Sequence, residues 1–197
     1  PFGTPGGTSQ QKRRSRENNH PMRFLFVGSM SQRKGLADLL EAFRNLNTRH
    51  AELFILGSPL MPMAFYHSRK VDFTHIPTCS NDKVLALMAA CDVLVLPSIA
   101  EGRALVQQEA MSQGLPILVT PNAGGEDLVK EEETGLLVEP GSPDILAEKL
   151  EWFMRNQKQI PCMGKAARSH AASYTWKAYA ERIIKKSFAV ERTQARG

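Results

Sequence analysis

Residues 92–125 read DVLVLPSIAEGRALVQQEAMSQGLPILVTPNAGG, and this stretch decides how the rest of the chain is interpreted. Val93 to Leu96 is a short apolar run ended by Pro97, which is typical of a strand buried on both faces of a parallel sheet. The pattern then predicts a loop, a helix over 104–113 and a second apolar strand over 116–119. We therefore expect a strand, loop, helix, strand unit.

Two carboxylates lie in this unit, Glu101 in the loop and Glu109 about two turns further along the chain. In open α/β sheets, ligands bind at the carboxyl ends of the strands, where a helix N-terminus offers free N–H groups and a partial positive charge. A diphosphate would find such donors near residues 103–106. The two carboxylates would then flank one ligand.

The whole chain alternates short apolar runs with segments of helical period, and it has no internal repeat. This alternation predicts an α/β fold with a doubly wound, mainly parallel six-stranded sheet flanked by helices. Ser80 and Ser142 are predicted to cap helices. The strands are predicted at 23–27, 52–56, 71–76, 93–96, 116–119 and 135–138, and the helices at 36–46, 81–90, 104–113, from 126, 142–156, 160–173 and 174–190.

Composition is that of an ordinary globular protein, with 197 residues, 42% hydrophobic and 23% charged. One domain is expected, without a signal peptide, and the most apolar stretch, 84–96, is too short for a membrane-spanning helix. The three cysteines, Cys79, Cys91 and Cys162, are odd in number and far apart, so we expect free thiols and neither a disulfide framework nor a zinc site. A cytoplasmic location fits reduced thiols.

The formal net charge of +5 owes much to the KRRSR run at residues 12–16 in a polar N-terminal segment. The remaining chain is close to neutral and has no basic stripe interleaved with aromatic residues, so a nucleic-acid partner is not expected. The run is interpreted as a solvated linker. Contact with an anionic membrane surface remains the alternative.

The pattern PSxxEGxxLVxxEAMxxGLPILxTxNxGG, with seven residues between Glu101 and Glu109, resembles the E-x7-E region of retaining glycosyltransferases of the GT-B fold, of the group 1 or family 4 type. The resemblance runs over 23–188 and covers the C-terminal, donor-binding half of such an enzyme. It implies a Rossmann-like half of a GT-B fold, with the N-terminal acceptor domain absent from this chain. By this resemblance, 1–22 is the interdomain linker, 23–190 the nucleotide-sugar-binding domain and 191–197 a tail.

The resemblance also assigns roles to cations. Lys34, in the turn between Gly28 and Gly35, looks similar to the lysine that holds the donor diphosphate. The family often carries an arginine after the first glycine, where this chain has Ser29. Arg33 or Arg103 is the candidate to replace that charge.

By the same resemblance, Glu101 contacts the donor sugar, Glu109 the ribose hydroxyls, and the loop 75–80 the nucleobase. Lys34 and Glu101 are the predicted catalytic residues, whereas His75 is expected to be structural. Gly124 and Gly125 either let the backbone approach the ligand or form a tight turn. The predicted donor-binding set is Gly28, Ser29, Arg33, Lys34, Ile76, Glu101, Gly102, Arg103, Ala104, Leu105, Val106 and Glu109.

The complete enzyme is thus expected to transfer a sugar from a nucleoside-diphosphate sugar to an acceptor with retention of configuration, without a metal or other cofactor. The acceptor, a sugar or a lipid-linked molecule, would bind mainly to the other domain, and the whole protein is expected to be cytoplasmic with peripheral membrane contact. The alternatives are a nucleotide-sugar-binding module without catalysis and a sugar-nucleotide epimerase on the same fold. A dinucleotide-binding domain is disfavoured because residues 28–35 do not read GxGxxG.

Overall fold

The structure is a computed structural model that describes residues 21–46, 48–102, 104–175, 177, 179–181 and 183–184. Within these residues the strands form one six-stranded sheet, with the order β3-β2-β1-β4-β5-β6 and every neighbouring pair parallel. The predicted doubly wound α/β fold is confirmed. The strands are β1 (Met22–Val27), β2 (Ala51–Leu56), β3 (Thr74–Ile76), β4 (Val93–Leu96), β5 (Ile117–Val119) and β6 (Gly135–Leu137).

The helices cover the sheet because the chain moves away from β1 in two opposite directions. Right-handed crossovers to β2 and to β5 therefore place their helices on opposite faces. Helix α1 packs against α5, and α4 packs against α3 and α6. The helices are α1 (Leu36–Leu46), α2 (Met63–His67), α3 (Asn81–Ala90), α4 (Leu105–Ser112), α5 (Pro143–Arg155) and α6 (Ile160–Ala172).

The core is built from apolar residues at the spacing that each element requires. All four residues of β4 are fully buried, as expected for a central parallel strand. On α1, Leu36, Leu39 and Leu40 form one buried face, and on α5 Leu146 and Leu150 do the same. The periodicity read from the sequence therefore corresponds to the surfaces that the helices bury against the sheet.

The helix predicted from residue 126 is absent from the structure, which shows turns there. The N–H groups of Leu128 and Val129 bond to the Gly125 carbonyl, but the helical pattern stops at that point. The Thr134 hydroxyl donates to the Leu128 carbonyl at 2.9 Å and accepts the Lys130 N–H at 2.8 Å. This buried side chain takes over the backbone groups that a continuing helix would use.

Other differences concern the ends of elements. The third strand is limited to Thr74–Ile76, because the chain over 71–73 does not pair with β2. Ser80 and Ser142 occupy N-cap positions, yet neither side chain forms a capping hydrogen bond. Residues 1–20 of the predicted linker lie outside the described residues. Most of the last predicted helix, over 174–190, also lies outside them.

Gly35 allows the turn after β1 to contact the loop after β4. Its φ is +73°, and a Cβ placed there would lie 1.9 Å from the Pro97 carbonyl oxygen. Any side chain at this position would therefore push apart the two loops that follow the central strands.

We expect Gly35→Ala to lower the free energy of unfolding by more than about 3 kcal/mol, because both the backbone conformation and the contact with Pro97 are lost. Gly141→Ala is the matched control, since Gly141 has φ +70° and no atom near its missing Cβ. That control should cost about 1 kcal/mol for the left-handed conformation alone. Urea denaturation measures both values, and equal losses would contradict the steric argument.

Candidate functional site

The candidate site lies between the carboxyl ends of β1 and β4, where the order of strands reverses. The turn 28–35 follows β1 and the loop 97–104 follows β4. The N–H groups of Ile99 and Ala100 both donate to the Arg33 carbonyl, at 2.9 and 3.4 Å. This is the position at which open α/β sheets bind ligands.

Lys34 and Glu101 meet at this position. The Lys34 ammonium forms an ion pair with the Glu101 carboxylate, and the side chains are only 12% and 15% exposed. The Arg33 guanidinium lies 3.8 Å from the other Glu101 oxygen and is 57% exposed. The aliphatic part of Lys34 passes over Gly28. The structure thus brings together the two residues that the sequence predicted as catalytic.

Hydrogen bonds from the neighbouring segment hold the Glu101 loop. The Asn122 amide donates to the Ile99 carbonyl at 2.8 Å, and the Glu101 N–H donates to the Asn122 carbonyl at 3.2 Å. The fully buried Gln107 donates to the Ala123 carbonyl at 2.6 Å. Sequence reasoning gave neither Asn122 nor Gln107 a role. The signal that the sequence offered for Gln107 is a polar residue on the buried side of a short helix.

A cavity of about 440 Å³ opens beside Glu101. Gly124 lines it and has a left-handed φ of +72°, whereas a Cβ on Gly125 would lie 2.5 Å from a Val119 methyl group. Turn geometry thus explains the first glycine and close packing the second. The lining residues are Ile99, Ala100, Glu101, Gly102, Pro121, Asn122 and Gly124.

The N-terminus of α4 points unbonded amides toward the same region. The Ala104 N–H donates to the Ala123 carbonyl at 3.4 Å. Within the described residues, the N–H groups of Leu105 and Val106 have no acceptor, as expected for the first turn of a helix. These groups and the helix dipole favour an anion. Arg103, predicted to add charge here, lies outside the described residues.

Glu109 lies one turn into α4 and is half-buried. Burial raises the pKa of its carboxyl above the ordinary value, because desolvation penalises the charged form. Its carboxylate forms no hydrogen bond or ion pair with any described residue. A half-buried carboxylate of this kind keeps acceptor positions that a hydrogen-bond donor can occupy.

The remaining predicted residues differ in whether their polar groups already have hydrogen-bond partners. The Ser29 hydroxyl lies 3.3 Å from that of Ser31. The Ile76 carbonyl accepts the Gly57 N–H at 3.0 Å, so this carbonyl already has a donor. The His75 Nε2 donates to the Gly57 carbonyl at 2.9 Å, so this ring nitrogen already has a partner.

A parallel sheet with a cation and free helix amides at its switch point is the arrangement with which α/β domains bind phosphate-containing ligands. Residues 8–170 match the family model described as glycosyl transferases group 1. The chain therefore belongs to this family, and the resemblance seen in the sequence is confirmed.

Known proteins similar to this chain cover most of it. It is 29% identical over 194 residues to the D-inositol 3-phosphate glycosyltransferase of Corynebacterium diphtheriae, covering 92% of this chain and 45% of that protein. The C-terminal domain of a group 1 glycosyltransferase from Francisella tularensis has a TM-score of 0.68 and 18% identity, covering 78% of this chain and 87% of that one. The Anabaena protein Alr3699/HepE, crystallised with UDP, has a TM-score of 0.74 and 19% identity, covering 87% and 49%. The chain spans less than half the length of the curated relatives that it matches.

Two further properties bear on the environment of the domain. The part of the chain that the structure describes contains no helix that is long and apolar enough to cross a membrane. Cys79, Cys91 and Cys162 form no disulfide bond with one another.

We expect Glu109→Gln to raise the free energy of unfolding at pH 7. Because the folded-state pKa is raised, the folded protein binds more protons than the unfolded chain between the two pKa values, and stability falls as the pH rises through them. The glutamine removes this cost, so its advantage should shrink as the pH falls toward the ordinary value of 4.5. Urea denaturation across this pH range measures the difference.

Glu148→Gln, at an exposed position on α5, is the control and should change stability little at any of these pH values. A Glu109→Gln variant that is less stable than wild type at pH 7 would show that the carboxylate stabilises the fold.

Proposed function

We propose that this chain is the donor-binding domain of a retaining glycosyltransferase, which transfers a sugar from a nucleoside-diphosphate sugar to an acceptor. The observation that carries the proposal is the meeting of Lys34 and Glu101 at the switch point, beside the unbonded amides of α4. The complex of Alr3699/HepE with UDP-glucose supports a nucleotide-sugar ligand for this fold. Because the chain is shorter than its relatives, transfer is proposed for the whole protein and donor binding for the chain.

The leaving diphosphate is the group that gains charge when the glycosidic bond breaks. The Lys34 ammonium and the N–H groups of Leu105 and Val106 would donate to it, and these donors stabilise the transition state more than the ground state. Removing one such donor commonly costs about 3 kcal/mol of transition-state stabilisation. Arg33, at the edge of the site, would supply the second positive charge that Ser29 lacks.

Glu101 takes a different role once the donor is bound. When Lys34 turns to the diphosphate, the Glu101 carboxylate loses its partner and accepts hydrogen bonds from the sugar hydroxyls. The sugar would occupy the adjacent cavity of about 440 Å³. A largely buried carboxylate that exchanges a lysine for hydroxyl donors remains satisfied throughout.

The Glu109 carboxylate would accept hydrogen bonds from the two ribose hydroxyls of the nucleotide. Its carboxylate is half-buried and has no partner in the described part of the chain, so the ligand would supply the missing donors. Forming these bonds favours the charged form and would lower the raised pKa on binding.

No metal ion is needed in this proposal, because Lys34, Arg33 and the helix amides neutralise the diphosphate. We also propose that the other domain of the whole protein binds the acceptor, a sugar or a lipid-linked molecule, and that the protein is cytoplasmic with peripheral membrane contact. The chain alone would bind the donor without transferring its sugar, since the cleft of a two-domain enzyme lies between the domains.

Calorimetric titration of this chain with UDP, GDP and ADP tests donor binding. We expect one or more to bind, unaffected by EDTA. We also expect Lys34→Met, which keeps the aliphatic packing on Gly28, to weaken that binding by about a hundredfold through loss of a charged donor. Glu109→Gln should also weaken it. Lys165→Met, an exposed position on α6, is the control and should bind as wild type does. Equal binding by the Lys34→Met variant and wild type would contradict the proposed contact between Lys34 and the diphosphate.

Glu101→Gln separates the sugar role from the diphosphate role. The variant frees Lys34 from its ion pair, so we expect the diphosphate to bind at least as tightly as it binds wild type, while the ratio of nucleotide-sugar to diphosphate affinity falls. The same titration measures both. An unchanged ratio would argue against sugar contact by Glu101. Retention is checked on the whole enzyme by NMR of the anomeric proton in the first product.

A further inference from the structure

The turn after β5 supports the loop that carries Glu101. The Thr120 hydroxyl donates to the Ser98 carbonyl at 2.6 Å, and the Asn122 side-chain amide donates to the Ile99 carbonyl at 2.8 Å. In the reverse direction, the Glu101 N–H donates to the Asn122 carbonyl at 3.2 Å. These bonds continue the pairing of β4 with β5 past the ends of both strands. Asn122 therefore contacts the loop twice, through its side chain and through its own carbonyl.

The two side chains that support the loop differ in burial. Thr120 is fully buried, so its bond belongs to the core, whereas Asn122 is exposed and lines the cavity beside Glu101. An exposed side chain contributes little to the packing of the core. The Asn122 amide instead joins positions 23 residues apart. Its bond therefore holds the loop in place and adds little to the packing of the sheet.

The loop depends on this support most when a donor is bound. In the structure, the Glu101 carboxylate is paired with Lys34. Under the proposed function, a diphosphate takes Lys34 away, and Glu101 is then held through its backbone. That backbone is fixed by the turn after β1 on one side and by Asn122 on the other. Beyond Glu101 the chain has open space, because a Cβ added at Gly102 would meet no atom within 4 Å.

The proposed diphosphate contacts do not use the Asn122 side chain. They lie at Lys34 and at the first turn of α4. The Ala123 carbonyl holds this turn, since it accepts the Ala104 N–H at 3.4 Å and the Gln107 amide at 2.6 Å. Loss of the Asn122 side chain would therefore leave the phosphate donors in place while it frees the loop after β4.

We propose that Asn122 is a positioning residue, which acts through Glu101 to set how strongly the donor sugar is bound. The inference rests on the proposed function and adds a residue that affects the sugar without affecting the diphosphate. Hydrogen bonds to a carboxylate weaken steeply when the distance or the angle is wrong. A carboxylate on a loop that is already ordered also binds with a smaller loss of conformational freedom.

The experiment is a calorimetric titration of this chain with UDP, GDP and ADP and with the glucose conjugate of each. The pair that wild type binds most tightly gives the ratio of nucleotide-sugar to diphosphate affinity. We expect Asn122→Ala to lower this ratio by about fivefold, through loss of one neutral hydrogen bond, and to leave the diphosphate affinity unchanged.

Asn156→Ala is the matched control. The Asn156 amide also donates to a carbonyl at 2.8 Å, that of Trp152 at the end of α5, and this variant should bind as wild type does. An unchanged ratio in Asn122→Ala would overturn the proposal. Equal losses of diphosphate and nucleotide-sugar affinity would overturn it too, because they would show a general structural role.

A second background shows whether Asn122 acts through Glu101. In a Glu101→Ala chain no carboxylate remains to be positioned, so adding Asn122→Ala should change the ratio little. A further loss as large as that in wild type would show that Asn122 contacts the sugar by itself, and the positioning role would be wrong. If wild type binds none of the diphosphates, the result contradicts the proposed function itself, and the role of Asn122 falls with it.

Discussion

The close approach of two backbone segments at the switch point is the constraint on which the site depends. Gly35 lies against Pro97 with no room for a Cβ, and the Arg33 carbonyl accepts two N–H groups from the loop after β4. Because the helices that follow β1 and β4 leave toward opposite faces of the sheet, this contact closes the base of a crevice. Lys34 and Glu101 project from its two walls, so their separation is set by backbone contacts.

Electrostatics in the crevice follow from burial. Lys34 and Glu101 are both largely buried, and each satisfies the other in the absence of a ligand. Under the proposed function, a diphosphate would compete for Lys34 and a sugar would provide Glu101 with replacement donors, so binding would exchange partners without leaving a charge unpaired. Glu109 is different because its half-buried carboxylate lacks a partner among the described residues and has a raised pKa. If the proposed role is right, this residue lowers stability in exchange for ligand binding.

Most of this arrangement was accessible from the sequence, for reasons that can be given residue by residue. The apolar run at Val93–Leu96 predicted a buried strand, and the resemblance to the E-x7-E region singled out Lys34 and Glu101, which the structure places together. The role of Asn122 could not be predicted, since it bonds to a carbonyl 23 residues away. The helix expected after Gly125 does not form because the Thr134 hydroxyl bonds to backbone groups that the helix would use. Local periodicity cannot reveal this contact.

Backbone contacts connect the crevice to a second cavity, of about 470 Å³, at the carboxyl ends of β2 and β3. The Gly57 N–H donates to the Ile76 carbonyl in the cavity wall, and the Gly57 carbonyl accepts from His75. On the other side of Gly57, a Cβ would lie 1.8 Å from the Gly28 carbonyl oxygen. The aliphatic part of the Lys34 side chain in turn packs over Gly28. The separation between this cavity and Lys34 is thus set by packed backbone. His75 contributes to this packing through its hydrogen bond to the Gly57 carbonyl.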